Sequence, residues 1–209
     1  MIRVKVCGIT GIDDARHAAA CGADEIGLNF YSKSPRVVSL EIAQEIASVI
    51  DASVKLVGVF VNADEREIAL TAKQCGLDAV QLHGDETIEF ARKIAHENGV
   101  RVIRAVEAKK AVRILAELKE SGLSLLIDAP AMGAYGGTGS VSDWNLAANA
   151  AANFDRVYLA GGLGPENVAN AIRKVRPFCV DACSKLESIK GKKDPKKVAA
   201  FIEAAKSVL

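Results

Sequence analysis

The chain has 209 residues, is 50% hydrophobic, and sets 27 Lys+Arg against 26 Asp+Glu for a net charge of +1. This near balance, with GKKDPKK as the longest basic stretch, excludes the clustered cationic face that nucleic-acid binding needs. The N-terminus lacks the basic flank and apolar stretch of a signal peptide, and no apolar run approaches the roughly 20 residues of a membrane span, so no membrane partner is expected.

The same unit recurs along the chain. IRVKVCG reads as a strand, and residues 11–21, with Ile12, Ala15, Ala18 and Ala19 on one face, read as a helix. DEIGLNF leads to a helix over 39–50, with Ser39 as N-cap and Glu41 in its first turn. VKLVGVFV precedes a helix over 64–74, LDAVQLH one over 85–97, and VRVIRAV one over 108–120. LSLLIDA precedes a helix over 142–152, and RVYLAGG one over 165–175, where Pro165 suits the first helical turn. FCVDACS leads to the last helix, 194–208, with Lys192, Lys193, Lys196 and Lys197 as its solvated start.

These strand–helix pairs, rich in Val, Ile and Leu where crossover helices cover both faces, predict an α/β chain with a parallel sheet. Their number and the absence of a second cluster of elements predict a single-domain (β/α)8 TIM barrel over 1–209. An open doubly wound sheet is the alternative. In a barrel the active site lies at the C-terminal strand ends. The shortlist is therefore Cys7, Asn29, Asn62, His83, Glu107, Asp128, Gly161 and Asp181.

After strand seven, LAGGLGPENV places Gly161 and Gly162 where exposed backbone N–H groups can cradle an anion, with Ser184 one loop away. A tight turn needing positive φ is the competing reading. AYGGTGSVSDW after strand six is a second Gly-rich segment, either an ordinary loop or one that closes over ligand, with Thr138 a candidate for the phosphate shell.

Asp128 ends an apolar strand, where desolvation favours a carboxyl that holds a proton for general-acid work; a cap or a salt-bridged Asp is the alternative. Asp181 occupies the same place on strand eight. The five cysteines (7, 21, 75, 179, 183) contain no CxxC and, with 3 His, form no zinc pattern, which predicts a reducing, cytoplasmic setting. Cys7 therefore reads as core filler or as a catalytic thiol. Strand parity sets it beside Lys5, whose ammonium favours the thiolate a general base needs. Gln81 and His83 share one parity and point inward, either toward a polyol or as satisfied core groups. Arg36, in the loop after strand two, has the planar fork that grips a carboxylate.

KVCGIT, FYSKSPRVVS, VGVFVN, VQLHGDE, LIDA…GGTG…DW, LAGGLGPENV and VDACSKLE…GKKD together resemble, in order and over the whole chain, the signature segments of the phosphoribosylanthranilate isomerase family. The resemblance implies a cofactor-free, metal-free Amadori rearrangement in tryptophan biosynthesis. An aminoaldose phosphosugar, N-(5-phosphoribosyl)anthranilate, would become 1-(2-carboxyphenylamino)-1-deoxyribulose 5-phosphate. It implies Asp128 as general acid and Cys7 as general base. It also implies Arg36 on the anthranilate carboxylate, Gln81, His83 and Asp181 at the substrate, and Gly161, Gly162 and Ser184 on phosphate. Family members occur as monomers and homodimers. Two positions depart from the pattern: VDACSKLE has Cys183 for a serine and Lys185 for a glycine, and Asn29 stands where an apolar residue is usual.

The rivals are a metal-dependent phosphosugar epimerase, which would need more strand-end His and Asp, and indoleglycerol-phosphate synthase, which would need strand-end Lys and Glu. A non-catalytic phosphosugar-binding barrel is the third, and the presence of both Cys7 and Asp128 speaks against it.

Overall fold

Strand β1 (Arg3–Cys7) shows the pattern on which the molecule is built: Val4 and Val6 are fully buried on one face, and Lys5 and Cys7 are buried on the other. A strand buried on both faces needs a layer on each side. The outward residues pack under helices and the inward ones fill a barrel. The computed structural model describes residues 2–129 and 142–208.

Seven more strands follow in parallel: β2 (Glu25–Asn29), β3 (Lys55–Phe60), β4 (Ala79–Leu82), β5 (Arg101–Glu107), β6 (Ser124–Asp128), β7 (Val157–Leu159) and β8 (Cys179–Ala182). They close in the order β1 to β8, with β8 returning to β1. The helices between them are α1 (Ile12–Ala20), α2 (Leu40–Val49), α3 (Glu65–Gln74) and α4 (Ile88–Asn98). The second half of the ring is α5 (Ala108–Lys119), α6 (Trp144–Asn153), α7 (Val168–Val175) and α8 (Pro195–Lys206). The expected (β/α)8 barrel is therefore what the chain forms. Among the described residues no helix is long and apolar enough to cross a membrane.

The barrel's two ends differ. Val57, Ala79, Ile103, Leu126, Tyr158 and Cys179 belong to a cluster that packs the interior. At the strand starts Glu25 accepts hydrogen bonds from the Tyr158 hydroxyl (3.0 Å) and Arg101 (3.3 Å), which plugs that end with a paired charge. The opposite end keeps inward polar side chains for the mouth.

Several helix ends follow expectation. Ser39 caps α2 and Asp64 caps α3, each side chain accepting a first-turn N–H. Three elements differ. Helix α4 begins at Ile88 rather than 85, because Thr87 caps it while Glu86 is drawn into the preceding loop, accepting from the Asn62 and Gly84 N–H groups at 2.7 and 2.9 Å. Helix α7 begins at Val168. Pro165 lies in a turn before it, which Asn167 clamps by accepting from Gly164 N–H and donating to Gly162 O, both at 2.9 Å.

The third difference lies between β8 and α8. A 3₁₀ turn (Ser184–Leu186) leads into a hairpin of β9 (Glu187–Ile189) and β10 (Lys192–Lys193). Lys193, read as solvated, is 2% exposed, because its ammonium meets the buried Glu187 carboxylate at 3.5 Å. Asn29 also gains an account: its side chain accepts the Tyr31 N–H at 2.8 Å and shapes the loop that carries Arg36.

Candidate active site

Closing the barrel sets β8 against β1 with Lys5 opposite Asp181 and Val6 opposite Ala182. Both members of the first pair point inward, and Lys5 Nζ donates to Asp181 Oδ1 at 3.0 Å with both side chains buried. Burial pushes the Asp181 carboxyl up to about 7; the Lys5 charge opposes this, while the Cys7 and Asp128 charges add to it. Burial works to lower Lys5, yet Asp181 and Cys7 outweigh it and hold the ammonium above its ordinary range.

One step further toward the mouth sits Cys7. Its neighbour on β2 is Gly27, and a Cβ there would lie 2.7 Å from Cys7 Sγ, so the glycine makes room for the sulfur. The Cys7 thiol is held well below its ordinary value. The largest cause is a hydrogen bond from Cys183; burial opposes, and the Lys5 and Lys193 charges assist. The core-filler reading fits this poorly, since apolar packing alone drives a thiol upward, as burial does for Cys179 on the barrel axis.

Across the mouth, β4 and β6 build a chain of three side chains. Gln81 is 1% exposed and its Nε2–H donates to His83 Nδ1 at 2.8 Å. That bond leaves the ring proton on Nε2, which faces Asp128 Oδ2 at 3.3 Å. Asp128 Oδ1 accepts the Ala129 N–H at 2.8 Å. Gln81 Oε1 is buried and accepts nothing from the described residues. A cavity of about 170 Å³ opens here, lined by His83, Glu107, Lys110 and Asp128 among others.

Arg36 is not the open fork that a loop position suggests. It is 7% exposed, and Nε and Nη2 bond the two oxygens of Glu187 at 2.6 and 2.9 Å. The Glu187 hydrogen bond raises Arg36 above its ordinary range. Burial works to raise Glu187, but Arg36 and Lys193 outweigh it and hold the carboxyl below its ordinary value. This bidentate pair uses one edge of the guanidinium and leaves Nη1 on the other.

Gly161 and Gly162 both adopt positive φ, +86° and +63°. A Cβ on Gly161 would lie 2.7 Å from the Ala129 backbone N, so the turn and the close approach both require glycine. Ser184 opens the 3₁₀ turn beside Cys183. Lys185 lies within that turn, and among the described residues only Asn62 and Arg176 are non-glycines at positive φ. Lys185 therefore does not take the positive φ for which a glycine would be required. Thr138 and its Gly-rich segment fall outside the described residues.

Of the other shortlisted strand ends, Asn62 accepts the Asp85 N–H at 2.7 Å and ties the β3 and β4 loops together, a role in the scaffold. Three residues at the site were missed in the sequence. Glu187 and Lys193 come from the two strands of the hairpin, and Cys183 from the residue between β8 and the 3₁₀ turn. The signal available for Cys183 was barrel closure itself, which brings strand eight beside strand one.

A family model described as N-(5'phosphoribosyl)anthranilate (PRA) isomerase matches residues 4–204. The chain belongs to this family. A PRA isomerase of Trichlorobacter lovleyi is 43% identical over 211 residues, spanning 100% of both chains. The crystal structure of the PRA isomerase of Thermotoga maritima superposes with a TM-score of 0.89 at 41% identity, covering 99% of each chain. A further PRA isomerase structure, in complex with reduced 1-(o-carboxyphenylamino)-1-deoxyribulose 5-phosphate, gives 0.86 at 40% identity over 99% of each chain. Glycines 161 and 162, Cys7, Asp128 and the Gln81–His83 pair thus lie at the strand ends of a PRA isomerase barrel.

Proposed function

We propose that this chain converts N-(5'-phosphoribosyl)anthranilate to 1-(2-carboxyphenylamino)-1-deoxyribulose 5-phosphate, with Asp128 as general acid and Cys7 as general base. Family membership makes it an aldose–ketose isomerase of tryptophan biosynthesis. The observation that carries the finer reading is the pairing of a depressed thiol with a carboxyl backed by a histidine at one barrel mouth.

Asp128 delivers a proton to the furanose ring oxygen, the C1–O bond breaks, and the anilino nitrogen's lone pair forms the iminium. The Cys7 thiolate then takes the C2 proton, which the adjacent iminium has acidified, and the electron pair flows to nitrogen as an enolamine. Relaxation to the ketone completes the exchange. The two steps ask for an acid and a base of opposite protonation in one site, which separated environments supply. His83, between Gln81 and Asp128, orients the carboxyl.

The binding groups follow from the same geometry. The unused edge of Arg36 takes the anthranilate carboxylate. The N–H groups of Gly161 and Gly162, with the Ser184 hydroxyl, take the phosphate. The unpartnered Gln81 Oε1 accepts a ribose hydroxyl, and Asp181, held by Lys5, lies beneath C2. The relative that holds a reduced carboxyphenylamino-deoxyribulose phosphate supports this substrate class.

The match of residues 4–204 to the PRA isomerase family model favours this reading over the metal-dependent epimerase. The test is the fluorescence change when the purified chain meets freshly made phosphoribosylanthranilate. Conversion well above the spontaneous rate supports the assignment. A folded chain that leaves that rate unchanged contradicts it, and points to the phosphosugar-binding barrel instead.

A further inference from the structure

His83 and Asp128 come from strands that are not neighbours: β5 lies between β4 and β6. Asp128 is fixed directly, paired with β5 opposite Glu107. His83 lies one residue beyond the last β4–β5 pair, Leu82 opposite Arg104. On its other side the β4–α4 loop is anchored to β3 and the loop after it. The His83 N–H donates to Phe60 O at 2.8 Å, and Asn62 accepts the Asp85 N–H at 2.7 Å. Gly84 lets the two loops meet, since a Cβ there would lie 2.8 Å from the Asn62 backbone N. On the β5 side the loop is held by a side chain, Arg104.

Arg104 is 1% exposed. Ile103 and Ala105 on either side of it fill the barrel interior, so strand alternation turns Arg104 outward, behind the β4–α4 loop. Its fork spans alternate carbonyls of that loop: Nη1 donates to Leu82 O, Nη2 to Gly84 O and Nε to Glu86 O, each at 2.9 Å. Nη1 also donates to Ala105 O on its own strand at 2.5 Å. Four of the five N–H donors of the guanidinium are thus committed to backbone carbonyls. The Leu82 and Gly84 bonds bracket His83. Gly84 is gripped at both ends of its backbone, because Glu86 accepts its N–H at 2.9 Å. Burial pulls Arg104 below its ordinary value, while Glu86, with Oε2 3.6 Å from Nη1, and Asp85 support the charge.

We propose that Arg104 is a positioning residue for the acid: by clamping the carbonyls on either side of His83 to β5, it sets the imidazole where it orients Asp128. The proposal rests on the reading of Asp128 as the general acid. Strand β5 is then the common reference for both groups. It holds β6 through backbone pairing and the end of β4 through Arg104. A lysine ammonium would keep the charge but not the fork, since its three donors radiate from one atom and cannot span carbonyls this far apart. An apolar residue would leave the same carbonyls without their donor.

The test compares Arg104→Lys, His83→Ala and the double variant in steady-state kinetics with phosphoribosylanthranilate. Arg104→Lys is expected to lower kcat about tenfold with KM within about twofold, because displacing a group that aims the acid costs rate more than binding. In the His83→Ala background the same change should cost less than about twofold, since a residue that acts through His83 has nothing left to position. The His83 ring nitrogens, read by proton–nitrogen NMR, should report one Nε2–H tautomer in the wild type and shift in Arg104→Lys. An unchanged kcat in a folded Arg104→Lys, an unshifted His83 ring, or an undiminished loss on top of His83→Ala would overturn the proposal. A shifted ring in a protein with no isomerase activity would support Arg104 as the clamp while removing the isomerase reading. If Arg104→Lys does not fold, the wild type decides. Slow exchange of the Arg104 Nε–H with deuterated solvent would support the clamp, and fast exchange would overturn it.

Discussion

His83 Nε2 stands 3.3 Å from Asp128 Oδ2, with Gln81 fixing the opposite ring nitrogen at 2.8 Å. The arrangement aims the carboxyl without joining the reaction directly. His83→Ala is therefore expected to lower kcat by about tenfold with a smaller change in KM, less than the ~10²–10⁴ of losing a general acid. Steady-state kinetics check this. A loss confined to KM would move His83 from the acid to substrate binding.

Lys5 and Asp181 make stability depend on pH. The Asp181 carboxyl, pushed up to about 7 from 3.8 by burial, contributes stability that is fully present below 3.8 and lost as pH rises through about 7. Above that, the wild-type carboxylate is charged against Lys5 and the loss stops. In Lys5→Met the carboxyl must stay neutral to higher pH, at a cost of about 1.4 kcal/mol for each further unit. Urea unfolding at about pH 6 and about pH 9 should show the gap between the two proteins widening at the higher pH. A constant gap would contradict the account.

Glu187 holds Arg36 by two short bonds in a nearly dry setting. Glu187→Ala would leave Arg36 and Lys193 buried without their counter-charge, a loss of about 3–5 kcal/mol. Because Glu187 lies below its ordinary 4.5, its contribution is present above that value and lost as pH falls through the folded one. Thermal melts of the variant should therefore lose the wild type's acid-side decline. Arg36→Lys, which keeps charge but not the fork, should raise KM for phosphoribosylanthranilate by about tenfold or more while kcat changes less.

Much of this arrangement was legible in the sequence. Val, Ile and Leu runs between amphipathic segments mark strands buried on both faces, and eight of them close one barrel. Strand parity alone sets Lys5, Cys7, Gln81, His83, Asp128 and Asp181 on inward positions at or near the mouth. What could not be read were relations across long separations or against local composition. Cys7 and Cys183 become neighbours only through the β8–β1 pairing. GKKD reads as solvated because its burial depends on Glu187, a carboxylate that is itself buried only because Arg36, 151 residues away, pairs with it. Pro165 stands in a turn because the Asn167 side chain satisfies the backbone that a helix would otherwise occupy.

The central claim is that Cys7 and Asp128 divide one rearrangement into a base step and an acid step. Its most direct measurement is the fluorescence-monitored conversion of fresh phosphoribosylanthranilate by wild type, Cys7→Ser and Asp128→Asn under single-turnover conditions. The account predicts rapid conversion by the wild type and losses of about 10²-fold or more in each variant, with both still folded. Near wild-type rates in either variant would contradict it.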